Sequence, residues 1–216
     1  MGYRVLDLFC GAGGAAMGLH RAWPDAEIIG VDKRPQKNYP FVFVLGDALN
    51  PPFDLREFDF IWASPPCQGY TKALWMHKEH NERRIRAAHP KLIEPMCILL
   101  QAINCPYVME NVESSPLRTQ IVLCGGMFGL LTRRHRLFES NFLLLQMSHP
   151  RHRGTVAAGD VVTVAGTGVR GPYRGKYIRP KIWSAALGID WMTEDELKQA
   201  VPPIYAEYIA RQIRCV

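Results

Sequence analysis

The chain has 216 residues, 48% hydrophobic and 21% charged, with a formal net charge of +6. That length suffices for one full core and falls short of two, and the basic balance, gathered in clusters, suits a polyanionic partner. Six cysteines without CxxC pairs or a neighbouring ladder of histidines argue against a disulfide framework and against bound metal; with no leader-like or membrane-spanning run, a soluble, intracellular, cytoplasmic protein is expected.

Residues 3–9 read as a short strand, followed by Cys10-Gly11-Ala12-Gly13-Gly14 and a helix over 15–22. Such a turn brings backbone close to a ligand and offers a helix N-terminus to an anionic group. A second strand, 27–31, ends in Asp32, and a third, 41–45, ends in Gly46-Asp47. Two strand-end carboxylates beside a glycine turn fit an adenosine-containing ligand, with Asp32 on the ribose and Asp47 near the adenine amino group.

The apolar run 58–63 reads as a buried strand ending in Ser64-Pro65-Pro66-Cys67-Gln68-Gly69, which presents a thiol where ligands bind an open α/β sheet. The polar, basic stretch 68–90, with Lys72, Arg83 and Arg84, suits a lid. Apolar residues at helical spacing over 91–104 belong to the core. A strand over 106–109 ends in Glu110-Asn111-Val112, facing the same crevice as Cys67. Residues 132–138 read as a strand with Arg134 and Arg136 on one side, and two same-side arginines need anions or acceptors. Residues 139–177 read as loops with one or two short strands, carrying Arg170, Arg174 and Lys176; helices follow over 181–187, 194–199 and 205–213, with Thr193 and Glu196 as a capping box.

If Cys67 and Glu110 meet over a pyrimidine, the thiolate can add to C6 while the carboxylic acid holds a proton at N3. C5 then becomes nucleophilic enough to take a methyl group. S-adenosylmethionine would suit the pocket at Asp32 and Asp47, and Arg136, with Arg134, would bind the ring's O2 or a phosphate.

These residues, in this order, resemble the DNA cytosine-5 methyltransferase family. Asp7-Leu8-Phe9-Cys10-Gly11-Ala12-Gly13-Gly14 is similar to its cofactor loop, Pro66-Cys67-Gln68 to its nucleophile motif, Glu110-Asn111-Val112 to its Glu-Asn-Val motif and Thr132-Arg133-Arg134-His135-Arg136 to its Gln-x-Arg-x-Arg motif. Ala200-Val201-Pro202-Pro203 is similar to the C-terminal motif that folds back beside the cofactor loop. The resemblance implies a Rossmann-like class I S-adenosylmethionine-dependent methyltransferase fold (α/β, a mostly parallel sheet flanked by helices). It implies Cys67, Glu110, Arg134 and Arg136 as catalytic residues and Phe9, Gly11, Gly13, Asp32, Asp47, Pro66 and Val201 around the cofactor. Thr132 stands where the family has Gln, and Lys33 follows Asp32 where it often has a large apolar residue.

On this reading residues 1–138 form the catalytic domain, 139–178 a reduced target-recognition segment, and 179–216 helices that return to the catalytic domain. The expected partner is duplex DNA with a flipped cytosine, gripped by Gln68, Lys72, Arg83, Arg84, Arg170, Arg174 and Lys176, and the expected protein is a monomer of a minimal, phage-type kind. RNA or a cytosine nucleotide as substrate, a different one-carbon donor, and a non-catalytic binding module stay open as alternatives.

Overall fold

A computed structural model describes residues 2–70, 89–156, 158–164 and 179–213. Seven strands form one sheet: β1 (Arg4–Leu8), β2 (Glu27–Asp32), β3 (Val42–Leu45), β4 (Phe60–Ala63), β5 (Tyr107–Asn111), β6 (Ile121–Leu123) and β7 (Arg136–Ser140). Their order is β3-β2-β1-β4-β5-β7-β6, with the first five parallel and β7 antiparallel to both neighbours. The helices are α1 (Gly14–Ala22), α2 (Ile93–Gln101), α3 (Arg179–Leu187), α4 (Glu194–Gln199) and α5 (Pro203–Ala210). The mostly parallel α/β sheet expected from the sequence is present.

The strands are apolar on both faces because helices cover both. Val5, Phe60, Trp62, Val108 and Phe138 face α1 and α5, while Leu6, Leu8, Ile61, Ala63 and Met109 face α2. Asp7 shares the first face and is 1% exposed. Burial pushes its carboxyl up to about 8, against the opposing effect of the Tyr39 hydroxyl 3.3 Å away.

A third apolar group joins Ala12 of the glycine turn to Val162, Val164, Trp183, Leu187 and Leu197. The Trp191 indole N–H donates to the Ala12 carbonyl at 2.8 Å, and Asn38 donates to Glu196 at 2.8 Å, so the C-terminal helices are pinned to the N-terminal turn. Thr193 and Glu196 form the expected capping box.

One sequence expectation is corrected: the strand read over 132–138 begins only at Arg136 and runs to Ser140. The described residues of 141–164 are irregular chain, in keeping with the loops expected there, and 165–177 lie outside the described residues. Arg134, with φ +33, cannot continue a strand.

The helix pair α1 and α5 closes through Gly18. A Cβ there would lie 2.0 Å from the Pro203 carbonyl oxygen and 2.9 Å from the Ala206 Cβ. Gly18→Ala is therefore expected to lower the unfolding free energy by about 2 kcal/mol, overpacking outweighing the gain in helix propensity. Urea denaturation checks this; equal or higher stability would show that the two helices can move apart freely.

Candidate functional site

The carboxyl ends of the five parallel strands lie side by side because their registers align: Leu8 sits opposite Val31 and Ala63, and Ala63 opposite Met109. The glycine turn, Asp32, the Cys67 loop and Glu110 therefore share one edge of the sheet. β7 brings its N-terminal end to the same edge, since Asn111 pairs with Leu137 and Glu110 with Phe138. Glu110 and Arg136 thus project from one face on neighbouring strands, close enough to touch diagonally.

They do touch. Arg136 Nε lies 2.8 Å from Glu110 Oε1, with side-chain exposures of 14% and 7%. Burial raises the Glu110 carboxyl above its ordinary value, while Arg136, a hydrogen bond from Ser64 and Arg134 hold it down. The Trp62 indole N–H in turn donates to Ser64 Oγ at 2.9 Å, fixing the hydroxyl that serves Glu110. Ser64 was not among the residues singled out from the sequence, although its place two residues after Trp62 on a strand puts both on one face.

Cys67 is half-buried at the start of the turn Gln68–Tyr70. Burial pushes its thiol up; Arg136 and Arg134 pull it down, and Glu110 opposes them. Cys67, Glu110, Arg134 and Arg136 are therefore within electrostatic reach of one another. Asn111 Nδ2 donates to the Pro65 carbonyl at 2.8 Å, tying the cysteine loop to β5, and Ser114 Oγ donates to the Tyr70 carbonyl at 2.6 Å.

Arg134 differs from the expected strand-borne partner of Arg136. It is half-buried, its Nε donates to the Ala200 carbonyl and its Nη2 to the Lys198 carbonyl, both at 2.8 Å, and Nη1 reaches the Val164 carbonyl at 3.4 Å. Burial and the neighbouring Arg136 push it down to about 9. Two of its donors go to the end of α4 and the segment before α5, and the Tyr205 hydroxyl donates to its own carbonyl at 3.0 Å.

On the other side of Cys67, Phe9 (φ +57), Gly11 (φ +49) and Gly13 (φ +82) turn the chain through left-handed conformations. A Cβ on Gly13 would lie 2.7 Å from Pro40, whereas one on Gly11 would meet nothing within 4 Å, so open space adjoins the Gly11 backbone. Asp32 accepts from the Gly11 N–H at 3.1 Å and the Arg34 N–H at 2.9 Å. Asp47 is exposed and accepts from the Leu49 N–H at 2.9 Å. Pro66 adjoins the cysteine, and the Val201 carbonyl abuts Gly14 at the start of α1.

Gln68 sits beside Cys67 in the same turn. Lys72, Arg83, Arg84, Arg170, Arg174 and Lys176 lie outside the described residues, as does most of the lid read over 68–90. The sequence spacing shows no metal-ligand grouping, yet Cys124, His135, His149 and His152 converge in the fold with their ligand atoms within 4.8 Å of one another. Only the last two are close in sequence, so spacing alone hid the group.

The profile of the family described as C-5 cytosine-specific DNA methylase matches residues 3–115. Among solved structures, the methyltransferase EhMeth of Entamoeba histolytica aligns with 96% of this chain and 96% of its own at 14% identity and a TM-score of 0.55, a likeness of fold. It supports a Rossmann-like methyltransferase fold for the seven-stranded sheet. The plantazolicin methyltransferase BpumL and the PH0226 protein of Pyrococcus horikoshii OT3 match 52% of this chain and 40% and 50% of theirs, at 18% and 19% identity and TM-scores of 0.34. No curated protein sequence matches the chain. No helix among the described residues is long and apolar enough to cross a membrane.

Replacing Arg134 tests whether it serves the fold. One ammonium cannot reach three carbonyls, so Arg134→Lys is expected to cost about 1–3 kcal/mol of stability and to expose the C-terminal segment to protease. Unchanged stability would return Arg134 to the substrate.

Proposed function

The chain belongs to the C-5 cytosine-specific DNA methylase family, and from that premise we propose that it methylates C5 of cytosine in DNA through a covalent bond between Cys67 Sγ and C6 of the base. The observation that carries this reading is the buried Glu110–Arg136 pair within electrostatic reach of Cys67.

Cys67 is protonated at rest, since burial raises its thiol. Thiolate formation releases that proton to solvent and is favoured by Arg136 and Arg134. Sulfur then adds to C6 as Glu110, whose raised pKa suits it to take up a proton from solvent when the base binds, passes that proton to N3. The C5–C6 π pair moves to C5, which becomes the nucleophile. After C5 is substituted, its proton passes to solvent, the C5–C6 double bond re-forms with expulsion of the Cys67 thiolate, and N3 returns its proton to Glu110. Arg136, held by Glu110, faces the O2 side of the ring.

The open cradle beside Gly11 fits a donor bound against backbone, and Asp32 at the strand end fits a ribose. S-adenosylmethionine, held there by Phe9, Gly11, Gly13, Asp32, Asp47, Pro66 and Val201, would supply an electrophilic methyl group.

For the nucleic acid, Gln68, Lys72, Arg83, Arg84, Arg170, Arg174 and Lys176 supply the grip, and residues 139–178 the recognition. A stacked cytosine cannot reach Cys67, so the base is flipped out of the duplex. Phosphate contacts by the basic residues make binding weaken steeply with salt.

Bisulfite sequencing of DNA from cells expressing the protein tests the reading, with Cys67→Ser as control. New 5-methylcytosine is expected with the wild type, and Glu110→Gln is expected to slow its formation by about 10²–10⁴-fold. No 5-methylcytosine above the Cys67→Ser background overturns methylation of DNA. Label from a tritiated methyl donor entering RNA or a cytosine nucleotide in preference to DNA would move the same chemistry to that substrate.

A further inference from the structure

We propose that Cys124, His135, His149 and His152 bind one zinc ion that staples the 149–152 segment to the sheet next to Arg136. Cys124 follows β6 and caps the turn Gly125–Phe128; His135 immediately precedes β7. His149 and His152 come from the irregular chain beyond β7. Three separate segments thus deliver four ligand atoms to one point.

Three of the six distances between ligand atoms approach those around a tetrahedral ion, and the whole group lies within 4.8 Å. With Zn–N of about 2.05 Å and Zn–S of about 2.3 Å, a tetrahedron sets two nitrogens about 3.3 Å apart and a sulfur and a nitrogen about 3.6 Å apart. His135 Nε2 lies 3.0 Å from Nε2 of both His149 and His152, and Cys124 Sγ lies 3.7 Å from His152 Nε2. Hydrogen bonding explains this convergence less well. One imidazole nitrogen carries either one proton or one lone pair, so it can satisfy one of two equal contacts, whereas a central cation satisfies all.

One thiolate and three imidazoles form a borderline-soft set that suits zinc, and four protein ligands leave no open position, which makes the site structural. The non-ligating Nδ1 of His135 has an acidic neighbour, Glu113 Oε2 at 4.0 Å, whose negative charge favours a cation at this imidazole. The segment has need of a staple. Among the described residues of 141–164 only Leu144, Val162 and Val164 are buried apolar residues, too few to hold an irregular chain by packing. Pro150 packs 3.4 Å from the Cβ position of Gly126, and Arg133 Nη2 donates to the Gly154 carbonyl at 2.9 Å, so the histidine segment already rests on the turn after Cys124.

The test uses the full chain without a histidine tag, purified under reducing conditions and without chelators. Elemental analysis is expected to find about one zinc per chain. Competition with a chromogenic chelator is expected to show affinity lowered more than ~100-fold in both Cys124→Ser and His149→Ala, beyond the loss from an outer-shell change. His149 is exposed, so that variant does not endanger folding. Cobalt substitution is expected to give the strong visible bands of a tetrahedral site, with a thiolate charge-transfer band absent from Cys124→Ser. Wild-type protein that holds less than ~0.1 zinc per chain after equilibration with zinc, or zinc content and cobalt spectra unchanged by both variants, overturns the proposal. These readouts do not depend on methylation.

Discussion

The ion pair between Glu110 and Arg136 is the interaction on which the site depends. Burying one charge without the other costs about 3–5 kcal/mol, so each side chain requires its partner. The pair requires an antiparallel β7 beside β5, because only that direction brings Arg136 to the carboxyl edge of the parallel strands. The strand order follows from this: β7 lies between β5 and β6, and β6 runs parallel to β5 at one remove. Ser64 and Trp62 extend the same polar chain into β4, so the loop carrying Cys67 and the strand carrying Glu110 share one hydrogen-bonded support.

A second constraint joins the two ends of the described chain. Gly18 lets α5 lie against α1 at backbone distance, Trp191 holds the Ala12 carbonyl, and Arg134 gathers carbonyls from Val164, Lys198 and Ala200. The glycine turn is therefore shaped by residues almost two hundred positions later. A half-buried arginine with φ +33 is an expensive local arrangement, and its three carbonyl bonds offset that cost. The C-terminal segment thus packs directly on the glycine turn and on Arg134.

The strands, glycine turn and first two strand-end carboxylates were legible because their signals are local: an apolar run, a turn residue, an acid at the end. The order of the motifs carried the family for the same reason. Arg134 was misread because alternation with Arg136 looks like a strand, and only tertiary carbonyl acceptors reveal the left-handed turn. The partnership of Arg136 with Glu110 could not be read, since it rests on the register of an antiparallel strand inserted out of sequence order. The histidine group was hidden likewise, with Cys124 and His135 brought to the His149–His152 segment by the β6–β7 hairpin. The six basic residues assigned to nucleic acid all lie outside the described residues, and their assignment rests on charge.

Cys67 as a nucleophile, its attack prepared by Glu110 and Arg136, is tested most directly by trapping. Duplex DNA carrying 5-fluorocytosine blocks the loss of the C5 substituent that would release the enzyme. Incubation with S-adenosylmethionine is predicted to give a denaturation-resistant protein–DNA complex whose bond maps to Cys67 and which Cys67→Ser does not form. No complex with any cytosine-containing duplex, or a bond at another residue, would contradict the account.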